Sequence, residues 1–323
     1  MPHSLSSALD VARDAARDAA HLCLAVMGDA ETGAMAKAGD EPVTIADYGS
    51  QAVALRRIAT AFPRDRIVSE EASGHLVGAA GDEGAARLVA LVNAVTGGSD
   101  TIDTVCEWID HEGGPGPRTW AIDPIDGTKG FLRGDHFAVA IGILEEDEVV
   151  GGVLACPRLE SDGYFGVLLW AGRGLGAHIE PIGRGDTRPA AVSLVDIPEG
   201  ARMLGSVESA HGDPALVEAV ISEAALSGGW VRLDSQVKYA AVADGAAEVY
   251  LRPRNRPDYR ERVWDHAAGV AVVTEAGGRV TDLDGRTLDF SHGAHLEENR
   301  GVLATNGRLH DRVLTAIAAV ESR

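Results

Sequence analysis

Apolar residues recur at helical spacing through the first part of the chain, at Leu5, Leu9, Ala12, Ala16, Ala19, Cys23 and Val26, with Arg13, Asp14, Arg17 and Asp18 opposite them. The pattern predicts an amphipathic opening helix. A second helix is predicted from Ile45 to Phe62, stopped by Pro63, and then a short strand from Arg66 to Ser69 that delivers Glu70 and Glu71 at its end. Residues 72–119 read as a lid-like insertion, with glycine clusters, one helical stretch near Gly84 to Val95, and the loop Gly113-Gly114-Pro115-Gly116-Pro117. Trp120, Ala121 and Ile122 form the end of a buried strand. Phe137 to Leu144 and Val149 to Ala155 alternate as antiparallel strands around the acidic turn Glu145 to Glu148, and Tyr164 to Trp170 and Ala177 to Ile179 continue that sheet.

Between Pro181 and Gly200 the composition shifts toward Gly, Pro and Arg, which marks a domain boundary. Strands are predicted beyond it at Met203 to Val207, Val231 to Leu233 and Ala247 to Leu251. Helices are predicted at Pro214 to Ala225 with Asp213 as cap, around Val237 to Ala243, and at His266 to Ala276, closed by Gly277-Gly278. Arg279 to Leu283 and Arg286 to Phe290 read as a hairpin around Asp284-Gly285. The reading is an N-terminal α+β domain over 1–190, carrying the insertion 72–119 and most of the candidate ligands, and a C-terminal α/β domain over 191–323. Gly172-Arg173-Gly174-Leu175-Gly176 resembles a dinucleotide-binding loop, yet it joins two antiparallel strands and so reads as a turn.

Composition narrows the function. Across 323 residues, 49 acidic side chains against 29 basic ones leave a formal charge of -20, which repels nucleic acid and anionic membranes. A small phosphate ester remains compatible, because bound divalent cations reverse the local sign. No apolar run is long enough to span a bilayer and the N-terminus lacks a leader pattern, so the expected setting is cytoplasmic. Cys23, Cys106 and Cys156 are odd in number and lack C-x-x-C spacing, which points to reduced thiols and not to a disulfide framework or a zinc site.

Chemistry concentrates in Trp120-Ala121-Ile122-Asp123-Pro124-Ile125-Asp126-Gly127-Thr128-Lys129-Gly130-Phe131. Pro124 fixes the backbone as the chain leaves the sheet, so Asp123 and Asp126 converge. Gly127 permits a sharp turn, and Thr128 and Lys129 open a helix whose first free N–H groups suit an anion. Alone, this stretch is equally well a capped turn. Glu70-Glu71 at a strand end and Asp265 at a helix start have bland readings too, as a solvated charge and an N-cap. Together they supply enough carboxylates for two or three Mg²⁺.

With Lys37-x-x-x-x-Pro42-Val43-Thr44-x-x-Asp47, Val68-Ser69-Glu70-Glu71-x-Ser73 and Trp264-Asp265-His266-Ala267-Ala268-Gly269 in order around that stretch, the chain resembles the lithium-sensitive inositol monophosphatase superfamily. Within it, the sequence is most similar to the 3'(2'),5'-bisphosphate nucleotidases of sulfur metabolism. The resemblance implies a layered αβαβα sandwich of the inositol monophosphatase/fructose-1,6-bisphosphatase type, and Mg²⁺ as cofactor, two or three per site. By position it assigns metal binding to Glu70, Asp123, the Ile125 carbonyl, Asp126 and Asp265. It also assigns Asp47 and Thr128 to orienting and deprotonating the attacking water. Asp47 has a second reading as the acid of a capping box begun by Thr44, and both can hold.

The nucleotidase assignment rests on Lys129-Gly130-Phe131-Leu132-Arg133-Gly134, on the long insertion, and on Leu233-Asp234-Ser235-Gln236-Val237-Lys238-Tyr239 followed by Val249-Tyr250-Leu251-Arg252. It implies substrate contacts from Gly127, Thr128, Lys129, His211, Ser235, Lys238, Arg252 and Asp265, with Lys238 and Arg252 charged for a second phosphate. His211 reads otherwise as a surface loop histidine. The cluster Arg254, Arg256, Arg260 and Arg262 reads ordinarily as a solvated loop and departs from the family pattern. The expected reaction is hydrolysis of the 3'-phosphate of adenosine 3',5'-bisphosphate to AMP, with the sulfated analogue as a second substrate, by a monomer or homodimer. An inositol phosphate, a sugar phosphate or another nucleoside phosphate is the alternative substrate, and a non-catalytic nucleotide sensor is the alternative class.

Overall fold

The computed structural model describes residues 4–28, 34–36, 42–183, 185–207, 213–254, 256 and 258–323. Five layers stack in the order αβαβα. Leu5–Met27 and Ile45–Ala61 cover one face of a seven-stranded sheet, with Leu76–Thr96 and Ile102–Ile109 packed outside them. Val237–Ala243 and Ala267–Glu275 lie between that sheet and a five-stranded one, whose far face carries Pro214–Glu223 and His310–Glu321.

In the larger sheet Arg66–Ser69 runs parallel to Arg118–Asp126. The strands Ala138–Glu145, Glu148–Ser161, Tyr164–Gly172, Gly176–Pro181 and Arg188–Pro189 then follow in antiparallel order. The smaller sheet orders Trp230–Arg232, Met203–Gly205, Val249–Arg252, Val302–Thr305 and Arg279–Thr281. Because both faces of the larger sheet are covered, its central strands are apolar throughout instead of alternating with polar residues.

Size alternates even where polarity does not. Along Ala138–Glu145, Val139, Ile141 and Ile143 enter the core beneath the N-terminal helices, whereas Ala138 and Ala140 face the middle layer. Gly142 and, on the next strand, Gly152 let the Ala267–Glu275 helix sit almost on the sheet. A Cβ on Gly142 would fall 2.4 Å from the Ala267 Cβ, and one on Gly152 2.8 Å from the Ala268 Cα. Gly269 makes the same allowance for the Tyr239 ring, 2.3 Å from where its Cβ would be. This seam sets the height of the segment that carries Asp265.

Several expectations from sequence are modified. Residues 76–96 form a longer helix than the pattern showed, broken at Gly81 (φ 65°, ψ −179°), and Ile102–Ile109 is a further helix. Both pack their apolar residues, among them Leu88, Val92, Val105 and Ile109, against Ile45–Ala61. The predicted 279–290 hairpin is incorrect: Arg279–Thr281 pairs with Val302–Thr305, and 286–290 is not a strand. Polar side chains take the place of a ladder there. Asp282 Oδ1 accepts the N–H groups of Asp284 (2.9 Å) and Arg286 (2.8 Å), and Asn299 Oδ1 accepts that of Asp289 (2.6 Å). Gly172 to Gly176 is the expected turn, closing an antiparallel pair.

If the glycine seam positions the middle layer, Gly142→Val should lower stability by about 2 kcal/mol through overpacking, whereas Gly183→Ala, which meets nothing within 4 Å, should be near neutral. Urea unfolding of the two variants checks this; equal midpoints would refute it.

Candidate active site

Asp123 sits near the end of Arg118–Asp126, buried to 2% exposure, and its Oδ1 accepts the Ile125 N–H at 3.1 Å. The register against Ala138–Glu145 shifts between Asp123 and Asp126, at the point where Pro124 has no N–H to give the ladder. The chain then turns through Gly127 at φ 91° into the short helix Thr128–Arg133. A Cβ on Gly127 would lie 2.9 Å from the Ser235 Cβ, so glycine is required both for the turn and for the approach of the C-terminal half. Ser235 itself is held at φ 62°, and the next N–H, of Gln236, donates to Asp126 Oδ2 at 2.6 Å. The two halves of the sequence are thereby joined at the site.

Asp47 opens the Ile45–Ala61 helix as the acid of the expected capping box. Its Oδ2 accepts the N–H and the hydroxyl of Thr44, each at 2.7 Å, and the Thr44 hydroxyl oxygen caps Ala46 N–H at 3.0 Å. Its Oδ1 remains 3.2 Å from the Thr128 hydroxyl. That hydroxyl has one proton and two acceptors in reach, the second being the Ile125 carbonyl at 3.3 Å. Ser50 donates to the Pro124 carbonyl at 2.7 Å, tying the same helix to the strand end.

Glu70 reaches the cluster because its N–H continues the parallel ladder, donating to the Ile122 carbonyl at 3.2 Å. Glu71 turns the other way and is buried, with its backbone N–H and carbonyl held by the Gln51 amide. Glu70, Asp123, Asp126 and Asp265 all line one cavity of about 850 Å³. Burial, then the charges of Glu70, Asp126 and Asp265, push the Asp123 carboxyl well above the usual carboxylate range. For Asp265 burial is again the main cause; Arg252 opposes it and Asp126 adds to it, leaving the group at about 7. These carboxylates and the Ile125 carbonyl form an all-oxygen donor set that suits a hard divalent cation, whose charge would relieve the repulsion.

The far wall of the cavity is cationic and aromatic. Lys238 is 4% exposed, donates to the Leu233 carbonyl at 3.3 Å and lies over the Tyr250 ring at 5.3 Å, without an ion pair among the described residues. Burial, partly offset by Asp126, lowers its ammonium to about 8. Arg252 pairs with Glu261 at 2.9 Å and Asp265 at 3.4 Å. Lys129 and Ser235 line the cavity as expected from sequence, whereas His211 and Lys37 lie outside the described residues. Arg262 is the member of the 254–262 cluster that reaches the cavity. Sequence reasoning missed Trp230 and Arg232, which also line it, with the guanidinium 4.3 Å over the indole. An aromatic and an arginine on alternate positions of a three-residue edge strand carry no periodicity strong enough to be noticed. Glu261, Asp265 and His266 have ligand atoms within 4.8 Å of one another, but both His266 nitrogens are engaged, by the Tyr239 hydroxyl (2.7 Å) and Glu261 (3.0 Å), so they are not a separate metal site.

A profile of the inositol monophosphatase family matches residues 4–322. The chain belongs to this family. Among its inositol monophosphatase family relatives is a 3'(2'),5'-bisphosphate nucleotidase from Oryza sativa, 40% identical over 97% of this chain and 94% of the relative. One of the same description from Emericella nidulans is 38% identical over 91% and 93%. The fold matches the inositol monophosphatase of Anabaena (Nostoc) sp. PCC 7120 with a TM-score of 0.65 and 25% identity, over 98% and 96% of the two chains. It also matches CysQ from Bacteroides thetaiotaomicron, a bacterial family member, at TM-score 0.62 and 22% identity over 94% and 98%. Members of the inositol monophosphatase family depend on metal.

Asp265 has a folded-state value raised above its unfolded one of about 4. Its contribution is therefore fully present below about pH 4 and is lost as pH rises through about 7. Metal-free Asp265→Asn should accordingly gain thermal stability relative to the parent between pH 5 and pH 8, and Mg²⁺ should shrink the parent's deficit. A parallel pair of Tm-against-pH curves without metal would count against the raised carboxyl.

Proposed function

We propose that this chain is a Mg²⁺-dependent phosphatase that hydrolyses the 3'-phosphate of adenosine 3',5'-bisphosphate to AMP and phosphate, with 3'-phosphoadenylyl sulfate as a further substrate. The observation that carries the reading is the placing of two cations, the buried Lys238 and the half-buried Arg252, on the wall of the cavity that also holds the carboxylate cluster. One phosphate at the carboxylates and a second at the cations is what a bisphosphorylated nucleotide presents. The names of the relatives from Oryza sativa and Emericella nidulans support the same substrate class. A cytoplasmic setting belongs to this reading, supported by cysteines that stand unpaired in the fold; no helix of the described residues is long and apolar enough to cross a membrane.

Glu70, Asp123, the Ile125 carbonyl, Asp126 and Asp265 would hold two or three Mg²⁺. Bound there, Mg²⁺ lowers the pKa of water and neutralises charge on the phosphate. Thr128 takes the proton of the attacking water while passing its own to Asp47 Oδ1, which the Thr44 contacts keep aimed at it. The new bond forms between the water oxygen and phosphorus, the bond to the ribose 3'-oxygen breaks, and that oxygen takes a proton from a solvent water while Asp47 returns its own to solvent. The free N–H groups beyond Gly127, with Lys129, orient the reacting phosphate. Lys238 and Arg252 anchor the other one, with Ser235 beside them.

Phosphate release from adenosine 3',5'-bisphosphate, inositol 1-phosphate and AMP, each with and without Mg²⁺, tests the reading; a preference for inositol 1-phosphate would move the substrate, and binding without release would make the chain a sensor. In the same assay Asp123→Asn should abolish turnover and Mg²⁺ binding together, while Thr128→Ala should leave Mg²⁺ binding intact and slow turnover by about 10²-fold or more. Full activity in a folded Asp123→Asn protein would sink the mechanism.

Lys238 adds a pH signature. Its cation is depleted as pH rises through about 8, so KM for the bisphosphate should climb there relative to KM for a monophosphate. Lys238→Met should raise the bisphosphate KM and remove the climb, and an unchanged ratio across pH 7 to 9.5 in the parent would refute the assignment.

A further inference from the structure

Arg252 is shared between two acids, and only one of them lines the cavity. Its Nη2 lies 2.9 Å from Glu261 Oε2 and 3.4 Å from Asp265 Oδ2. Glu261 is 1% exposed and stands behind the cavity wall. It is also fixed from behind: the same Oε2 accepts from His266 Nε2 at 3.0 Å, and His266 Nδ1 in turn faces the Tyr239 hydroxyl at 2.7 Å. With His266 and Tyr239 themselves buried, the network has no freedom to swing Glu261 toward a ligand. A buried carboxylate that does not reach the reacting groups, yet makes the shorter contact to a cation that does, acts through that cation.

We propose that Glu261 is a positioning residue that competes with Asp265 for Arg252, taking the shorter contact so that the guanidinium holds Asp265 only weakly, which leaves this carboxylate available to a divalent cation and Arg252 to a substrate phosphate. The inference rests on the function proposed above. Without Glu261, Asp265 is the one carboxylate that pairs with Arg252 among the described residues. The pair would close in a partly buried setting, and Mg²⁺ would have to break it in order to bind. Outer partners of metal ligands commonly set affinity in this way.

A double-mutant cycle on the full chain separates competition from a general electrostatic or structural effect. Mg²⁺ titration by calorimetry is the readout, so no turnover is needed. Glu261→Gln should raise the Mg²⁺ Kd roughly 10-fold, and the same substitution in an Arg252→Ala background should have almost no effect, because the competitor is gone. Glu261→Asp, which keeps the charge on a shorter arm, should give an intermediate shift with the same dependence on Arg252, and it substitutes for Glu261→Gln if that variant does not fold. Equal Kd shifts in both backgrounds, or none in either, would overturn the competition while leaving the phosphatase reading intact. Failure of the parent protein to bind Mg²⁺ would overturn both.

Discussion

Like charges have to be brought together in this fold, and the small-residue seam between the larger sheet and the middle helices is what does it. Asp123 and Asp126 belong to the sheet, and Asp265 to the segment leading into the Ala267–Glu275 helix. Left to themselves these carboxylates repel, and burial together with that repulsion raises the Asp123 and Asp265 carboxyls. The helix cannot retreat, because Ala267 and Ala268 are seated where Gly142 and Gly152 have no side chains and Tyr239 presses on Gly269 from behind. Packing on the order of a domain's core outweighs a repulsion confined to a few groups. Under the proposed function, a bound cation relieves that repulsion.

The same constraint explains how polar contacts are distributed. Around the cluster the carboxylates are oriented by backbone N–H groups and hydroxyls. Asp123 gives one oxygen to Ile125 N–H, Asp126 one to Gln236 N–H, and Asp47 one to Thr44. On the opposite wall the arrangement is reversed, with cations held by carbonyls, rings and acids behind them. A ligand that is negative at two ends and carries metal at one of them fits between these walls.

Much of this was legible in the chain. The opening helix, the Ile45 helix with its capping box, the Asp123 stretch and the antiparallel ladder all carry local signals, namely period, punctuation and capping chemistry, that tertiary packing then obeys. The C-terminal strand Val302–Thr305 and helix His310–Glu321 were not read from sequence, and the 279–290 hairpin was misread. The reason is common to all three. Asp-Gly is a strong local turn signal, but the partner of Arg279–Thr281 is a strand about twenty residues on, and the intervening chain is stabilised by Asp282 and Asn299 side chains that no periodicity reports. Glu261 escaped notice for a related reason: a lone acid among arginines reads as a solvated charge until the fold shows it to be buried beneath them.

Asp47 has a consequence of a different kind. One oxygen of its carboxylate closes the first turn of a helix and the other faces the Thr128 hydroxyl, so under the proposed mechanism local folding and proton transfer draw on a single side chain. The protein cannot fray that turn and remain poised for chemistry. Under the proposed mechanism, loss of that helix turn and loss of the proton acceptor are a single event.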